Sequence, residues 1–365
     1  MNDEARGSDP ERSPGLYGPS RRPRWPYRSR RQQRRRDHTD GHAPTYAALD
    51  LGTNNCRLLV ARPTSNSFRV IDAFSRIIRL GEGVSASGVI SEKAIVRAVD
   101  ALTVCRNKMA SRGVTRARLI ATEACRAATN GPEFIAVVRD KVGINLEIVD
   151  RETEAGLAAA GCTPLMEPEA RGVILFDIGG GSSELVLLGP PRLAAAGPPA
   201  PEIRAWASLP LGVVTLAERH GGLRVDRETF ERMVQEVGSY VDQFAERSGE
   251  TAELHMLGTS GTVTTIAGVH LGLKRYDRRQ VDGCWMSDQQ VAAVIEQLLT
   301  MSYDERVANA CIGAERADLV LAGCAILEAI RRAFPCERLR VADRGLREGI
   351  LVQLMREDGV WDRGH

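Results

Sequence analysis

A hairpin pattern written twice restricts this chain to few folds. In Leu175-Phe176-Asp177-Ile178-Gly179-Gly180-Gly181-Ser182-Ser183-Glu184, an apolar run from Val173 delivers an aspartate, three glycines, two hydroxyls and a glutamate. A second apolar run, Leu185 to Leu188, then leaves. The spacing predicts a β-hairpin with a glycine turn. Without Cβ atoms, consecutive backbone N–H groups can converge on one point and hold phosphate oxygens, here from Gly179, Gly180, Gly181, Ser182 and Ser183. The carboxylates of Asp177 and Glu184 would repel a phosphate unless a divalent cation stood between them. The same residues also suit a flexible hairpin tip with no ligand.

The order recurs in Ala48-Leu49-Asp50-Leu51-Gly52-Thr53-Asn54-Asn55-Cys56-Arg57-Leu58-Leu59. With Asp50 set on Asp177, Gly52 falls on Gly179, Asn55 on Ser182, Arg57 on Glu184 and Leu58 on Leu185. Two such hairpins about one domain apart predict a duplicated α/β domain, each half offering a loop to one ligand across a cleft. Chance similarity of two hairpins is the alternative.

A chain of 365 residues, 43% of them hydrophobic, can bury the cores of two domains. No uncharged apolar run approaches the roughly 18 residues that span a bilayer. The amino terminus carries Asp3, Glu4, Asp9 and Glu11 and no apolar core of a secretory signal, so the expectation is a soluble cytoplasmic protein with no membrane partner. Eight cysteines without a C-x-x-C pair suit a reducing compartment rather than a disulfide framework or a zinc site. The six histidines show no ligand spacing.

Charge is unevenly spread. Residues 1–43 hold 11 Arg against 6 acidic residues, whereas the rest holds 38 basic against 41 acidic. Nine arginines between Arg21 and Arg36, with Pro, Gly and Ser and few apolar residues, predict a disordered tail. With Trp25 and Tyr27 interleaved, that tail is the one segment suited to nucleic acid, a membrane surface or polyphosphate; a solvated extension is the plainer reading.

Along the chain, Phe68 to Leu80 reads as a strand pair, and Ser91 as the N-cap of an amphipathic helix from Glu92 to Ser111. Arg118 to Ala121 is a strand that ends at Thr122-Glu123-Ala124-Cys125-Arg126, where a guanidinium at a helix start could clamp phosphate oxygens or make a surface ion pair. Leu146 to Val149 leads into a helix beginning near Asp150 and ending about Leu165, whose Glu152 and Glu154 read as dipole complements on position alone. After a linker at 164–171, the second half is expected to hold a loop at 189–202 and a strand from Ile203 to Pro210. Helices are expected over Arg227–Arg247, Ser287–Met301, Arg316–Phe334 and Leu346–Met355. A buried strand, Leu254 to Leu257, runs into Gly258-Thr259-Ser260-Gly261-Thr262 and a helix, an order that is either an anion site or a plain N-cap turn. The chain then divides into a tail at 1–43, halves at 44–166 and 167–356, and a short tail at 357–365. Strands end in polar turns at Asp50, Thr122, Asp177, Gly258 and Asp343, the edge at which ligands collect in open α/β sheets.

These five stretches, with Asp343-Arg344-Gly345-Leu346-Arg347-Glu348-Gly349 as the last, resemble the exopolyphosphatase/guanosine pentaphosphate phosphohydrolase family. That family lies within the superfamily of sugar kinases, heat-shock chaperones and actin. The match runs from Tyr46 to about Met355 and implies two duplicated actin-like, ribonuclease H-like domains with the active site in the cleft between them. It also implies hydrolysis of a terminal phosphoanhydride, of inorganic polyphosphate or guanosine pentaphosphate, with Mg2+.

On the same resemblance, Glu154 matches the glutamate that orients and deprotonates water, and Arg126 a phosphate-contacting arginine. Asp177 and Glu184, with Asp50, match the acidic metal set. Gly52, Thr53, Asn54, Asn55 and Arg57 of the first hairpin, the second hairpin, and the 258–262 loop match the phosphate cradle. The family carries adjacent glutamates where this chain has Thr153-Glu154, so Glu152 stays a rival for the base. Two other readings stand beside the hydrolase: a kinase of the same superfamily, for which no acceptor motif is found, and a polyphosphate or nucleotide sensor without turnover. The sequence leaves open the physiological substrate, and long amphipathic helices in the second half leave room for a homodimer.

Overall fold

Each hairpin opens a half built on the same plan. The computed structural model describes residues 44–192, 197–249 and 254–361. The first half runs β1 (Tyr46–Leu51), β2 (Asn55–Pro63), β3 (Phe68–Ile77), α1 (Val84–Ser87), α2 (Glu92–Ser111), β4 (Arg116–Ala121), α3 (Glu123–Ala127), α4 (Gly131–Val142), β5 (Glu147–Ile148) and α5 (Arg151–Cys162). The second half begins with β6 (Val173–Ile178), β7 (Ser183–Leu188), β8 (Ile203–Leu209), α6 (Val213–His220), α7 (Arg227–Ser248), β9 (His255–Thr259) and α8 (Gly261–His270). It continues through α9 (Arg278–Val281), β10 (Trp285–Ser287), α10 (Asp288–Thr300), α11 (Tyr303–Ala308), α12 (Val320–Ala333), β11 (Arg338–Ala342) and α13 (Leu346–Glu357).

The strand order is β3-β2-β1-β4-β5 in one sheet and β10-β11-β9-β6-β7-β8 in the other. In both, an antiparallel meander continues into parallel strands reached through helices. Even the register repeats, because Asp50 faces Arg57 across the first hairpin as Asp177 faces Glu184 across the second. Every residue of β7 is buried, as its unbroken apolar run requires of a strand covered on both faces.

The helices that leave the two sheets are exchanged. From the first half, α5 lays Ala155, Ala159 and Cys162 in one cluster with Val173, Leu175, Val186 and Leu188 of the second sheet. From the second half, α13 lays Ile350, Leu351, Leu354 and Met355 with Tyr46, Ala48, Leu59 and Ile120 of the first. The two helices pack on each other between the sheets, and glycines set their distance. A Cβ on Gly161 would stand 1.9 Å from the Gly345 carbonyl oxygen, and one on Gly349 would stand 1.9 Å from that of Leu157.

Several sequence expectations change on folding. Phe68 to Leu80 is one strand followed by a turn, because Ile78 and Arg79 donate their backbone N–H groups to the Asn54 carbonyl and draw the chain over the first hairpin. Helix α4 was not anticipated, although Pro132 in its first turn and Phe134, Val138 and Val142 on one buried face mark it. Helix α12 begins at Val320 rather than Arg316. The expected tail at 1–43 lies outside the described residues, as do 362–365 of the tail expected at 357–365; within the described part of the latter, Trp361 is buried and donates its Nε1–H to the Thr64 carbonyl at 3.0 Å.

Candidate active site

The two hairpins turn in the same way. Gly52 donates its N–H to the Asn55 carbonyl at 2.9 Å and Gly179 its N–H to that of Ser182 at 3.0 Å. Their tips meet face to face. A Cβ on Gly180 would stand 2.9 Å from Cβ of Thr53, and one on Gly181 would stand 2.8 Å from its Oγ1, so no side chain fits between the loops. The cleft around these tips has a volume of about 730 Å³.

Its walls gather most of the expected residues. Asp50, Gly52, Thr53, Asn54, Asn55 and Arg57 line it from the first hairpin, and Asp177, Gly179, Gly180, Gly181, Ser182 and Glu184 from the second. Thr259, Ser260, Gly261 and Thr262 close a third side, where β9 turns into α8 and Ser260 takes a left-handed φ of 105°. Three expected residues stand away from the wall. Ser183 is buried and donates its hydroxyl to the Leu211 carbonyl at 2.8 Å, and Gly258 lies under the Phe176 ring. Arg126 sits behind Glu154. Of the two rival glutamates, Glu154 lines the cleft and Glu152 is exposed outside it.

Buried carboxylates dominate the electrostatics. Burial pushes Asp177 up to about 6 and Glu184 up to about 7; the neighbouring charge of Asp50 adds to the first and that of Asp177 to the second. Hydroxyls partly offset this for Glu184, whose Oε1 accepts from Ser182 at 2.8 Å and Ser208 at 3.0 Å. Asp50 is likewise raised, first by burial. Among the described residues none of these three carboxylates makes an ion pair, and the Oδ1 atoms of Asn54 and Asn55 are buried without a partner. Acidic and amide oxygens without a cationic partner, beside the glycine hairpins, fit a divalent cation. No three acidic, His or Cys side chains among the described residues converge on one point, which suits an ion held by one or two carboxylates and completed by phosphate oxygens and water.

Glu154 belongs to a different set. Asp150 caps α5 by accepting from the Thr153 N–H at 2.7 Å, and the first turn then brings Glu154 round to the cleft. Burial first, then the charge of Glu184, raises its pKa well above the usual carboxylate range. Arg126 works against this, donating from Nη2 to Glu154 at 3.0 Å.

Other wall residues escaped the sequence reading. Glu123 and Arg316 line the cleft, as do Tyr276, Arg278 and Arg347. Tyr276 donates to Asp343 at 2.7 Å, and Arg278 donates to Glu348 at 3.0 Å. Only Arg347 and Glu123 carried a signal, because both stand inside stretches already singled out.

A model of the Ppx/GppA phosphatase family matches residues 59–358. Exopolyphosphatase 2 of Mycobacterium tuberculosis is 28% identical over 325 residues, which cover 84% of this chain and 98% of that protein. Guanosine-5'-triphosphate,3'-diphosphate pyrophosphatase of Photobacterium profundum is 26% identical over 325 residues, 86% of this chain and 60% of that protein. The crystal structure of the Aquifex aeolicus member of the Ppx/GppA protein family superposes with a TM-score of 0.69 at 25% identity, covering 89% of this chain and all of that one.

Proposed function

This chain belongs to the Ppx/GppA phosphatase family, with its two actin-like domains, and on that footing we propose that it hydrolyses the terminal phosphoanhydride of inorganic polyphosphate or guanosine pentaphosphate. The observation that carries this reading is the place of Glu154, a half-buried carboxylate tied to one guanidinium on the wall of a cleft whose other walls are glycine hairpins.

Phosphoryl transfer asks a protein for position and charge more than for covalent chemistry. The N–H groups of the hairpin tips and of the loop before α8 hold the oxygens of the terminal phosphate. Glu154 orients water towards the phosphorus and takes its proton as the P–O bond to the leaving phosphate breaks. Its raised pKa makes it a stronger base than a solvated glutamate, and Arg126 opposes part of that rise. One or two of the carboxylates of Asp177, Glu184 and Asp50 would hold Mg2+, which when bound would neutralise charge on the phosphate oxygens and the leaving group.

The test is phosphate release with Mg2+ from long-chain polyphosphate and from guanosine pentaphosphate, for wild type and Glu154→Gln. Loss of about 10²- to 10⁴-fold in the variant is expected. Release from neither substrate by the folded wild type would sink the reading. ATP turnover dependent on an acceptor would then point to a kinase, and binding without turnover to a sensor.

A further inference from the structure

Two helix starts meet behind the cleft with mirrored charges. Helix α3 carries Glu123 and, three residues on, Arg126; helix α5 carries Arg151 and, three residues on, Glu154. Each carboxylate finds a guanidinium on the other helix. Arg126 Nη2 donates to Glu154 Oε2 at 3.0 Å and Arg151 Nη2 donates to Glu123 Oε1 at 2.8 Å. Within α3, Arg126 donates from Nε and from Nη2 to Glu123 Oε2, at 2.9 and 2.6 Å. The Val149 carbonyl takes an Nη1 hydrogen at 2.6 Å. An arginine has five N–H donors, and four of those of Arg126 are thereby placed.

We propose that Glu123 is a positioning residue for Glu154: it fixes the Arg126 guanidinium so that one Nη2–H is presented to that carboxylate, and Arg151 braces Glu123 from the opposite side. The inference rests on the reading of Glu154 as the base. A free arginine side chain samples many rotamers, and the cleft offers it rival anions. Glu184 and Asp50 lie within electrostatic reach of Glu154, and phosphate enters beside them. Glu123 stands on that route, since a Cβ on Gly181 would lie 3.1 Å from its Cγ. Its side chain, 12% exposed, therefore holds the guanidinium on the α5 side of the second glycine loop. The four charges of Glu123, Arg126, Arg151 and Glu154 sum to zero, so the brace adds no net field to the site.

The experiment compares Glu123→Gln, Arg126→Ala and the double variant of the full chain, with Mg2+ and long-chain polyphosphate. A misplaced base is expected to cost about 10- to 100-fold in kcat with KM within about twofold. Because Glu123 acts through Arg126, Glu123→Gln should cost nothing further once Arg126 is Ala. Wild-type kcat in Glu123→Gln, or additive losses in the double variant, would overturn the proposal. A residue that only supports the fold would lower the melting temperature and leave kcat per folded molecule unchanged.

An activity-free readout separates the two layers. Among the described residues the Arg126 Nε–H bonds only to Glu123, so its nitrogen-15 side-chain signal should exchange slowly in wild type and in Glu154→Gln but rapidly in Glu123→Gln. Slow exchange in Glu123→Gln would overturn the proposal. Should wild type release no phosphate, the functional reading fails while this signal still decides the positioning. Where Glu123→Gln does not fold, Arg151→Gln takes its place; it should speed Arg126 Nε–H exchange, and unchanged exchange counts against the proposal.

Discussion

Gly349 of α13 rides against the carbonyl oxygen of Leu157 in α5, so close that a Cβ on the glycine would stand 1.9 Å from that oxygen. This contact and its companion, Gly161 on Gly345, seat the exchanged helices and thereby fix the distance between the hairpins that face each other over the cleft. Gly349→Ala has nowhere to put its methyl group. It should destabilise the protein by about 1–3 kcal/mol and lower turnover although no wall residue is touched. Gly238→Ala on α7, with nothing within 4 Å, should instead stabilise by about 0.5–1 kcal/mol. Urea denaturation of both variants checks the opposite signs.

The approach of the two hairpins leads to a second expectation. Gly180→Ala would push its Cβ to within 2.9 Å of that of Thr53 and 3.2 Å of the Asn54 nitrogen, the groups that shape the tip of the first hairpin. Substrate affinity should suffer first, with KM for polyphosphate raised about tenfold for a loss of roughly 1.4 kcal/mol of binding. A steady-state titration that returned the wild-type KM would contradict this.

A clasp spans the halves beside the cleft. Arg79, held at a left-handed φ of 45°, donates to both oxygens of Asp318 at 2.9 and 3.0 Å, and Glu218 accepts from the Gly83 N–H at 2.8 Å. The pair is partly exposed, so its removal in Arg79→Ala should cost only about 0.2–1 kcal/mol of global stability, and added salt should shrink the difference. Local opening should respond more strongly, as faster amide exchange over 78–83 and 315–318. Unchanged exchange there would show that the clasp does not hold the halves together.

The acid response of the fold should depend on His255. Burial holds its imidazole down at about 4, from the ordinary 6.5, where it sits edge-on to Trp285 and Nε2 has no partner among the described residues. The unfolded chain therefore takes up a proton that the folded chain refuses. The stability due to the neutral ring is complete above pH 6.5 and drains away as pH falls towards 4. Wild type should lose up to about 2 kcal/mol on this account between about pH 7.5 and about pH 5. His255→Phe should lose less over the same interval, measured by denaturant melts at each pH.

How much of this was legible depended on whether the cause was local. The hairpins were legible because strand, aspartate, glycine turn and strand are all neighbours in sequence, and the Asp50–Arg57 and Asp177–Glu184 registers follow from equal spacing. Glu154 was legible only through resemblance, since a carboxylate in a first helical turn is otherwise a dipole complement. Its bond to Arg126 joins helices 28 residues apart in sequence, and no local pattern encodes such a meeting. Leu346 to Met355 was legible as a helix but not the sheet it covers, because Ile350 and Met355 would suit either.

That last ambiguity has a bearing on damage to the gene. Because α13 roofs Tyr46, Leu59 and Ile120, a frameshift after Ala342 would strip the amino-terminal sheet of its cover while leaving every residue of that sheet encoded. The strands of that sheet, made earlier, would wait, apolar face open, for α13 to leave the ribosome. Folding of the first half is thus completed by a helix of the second.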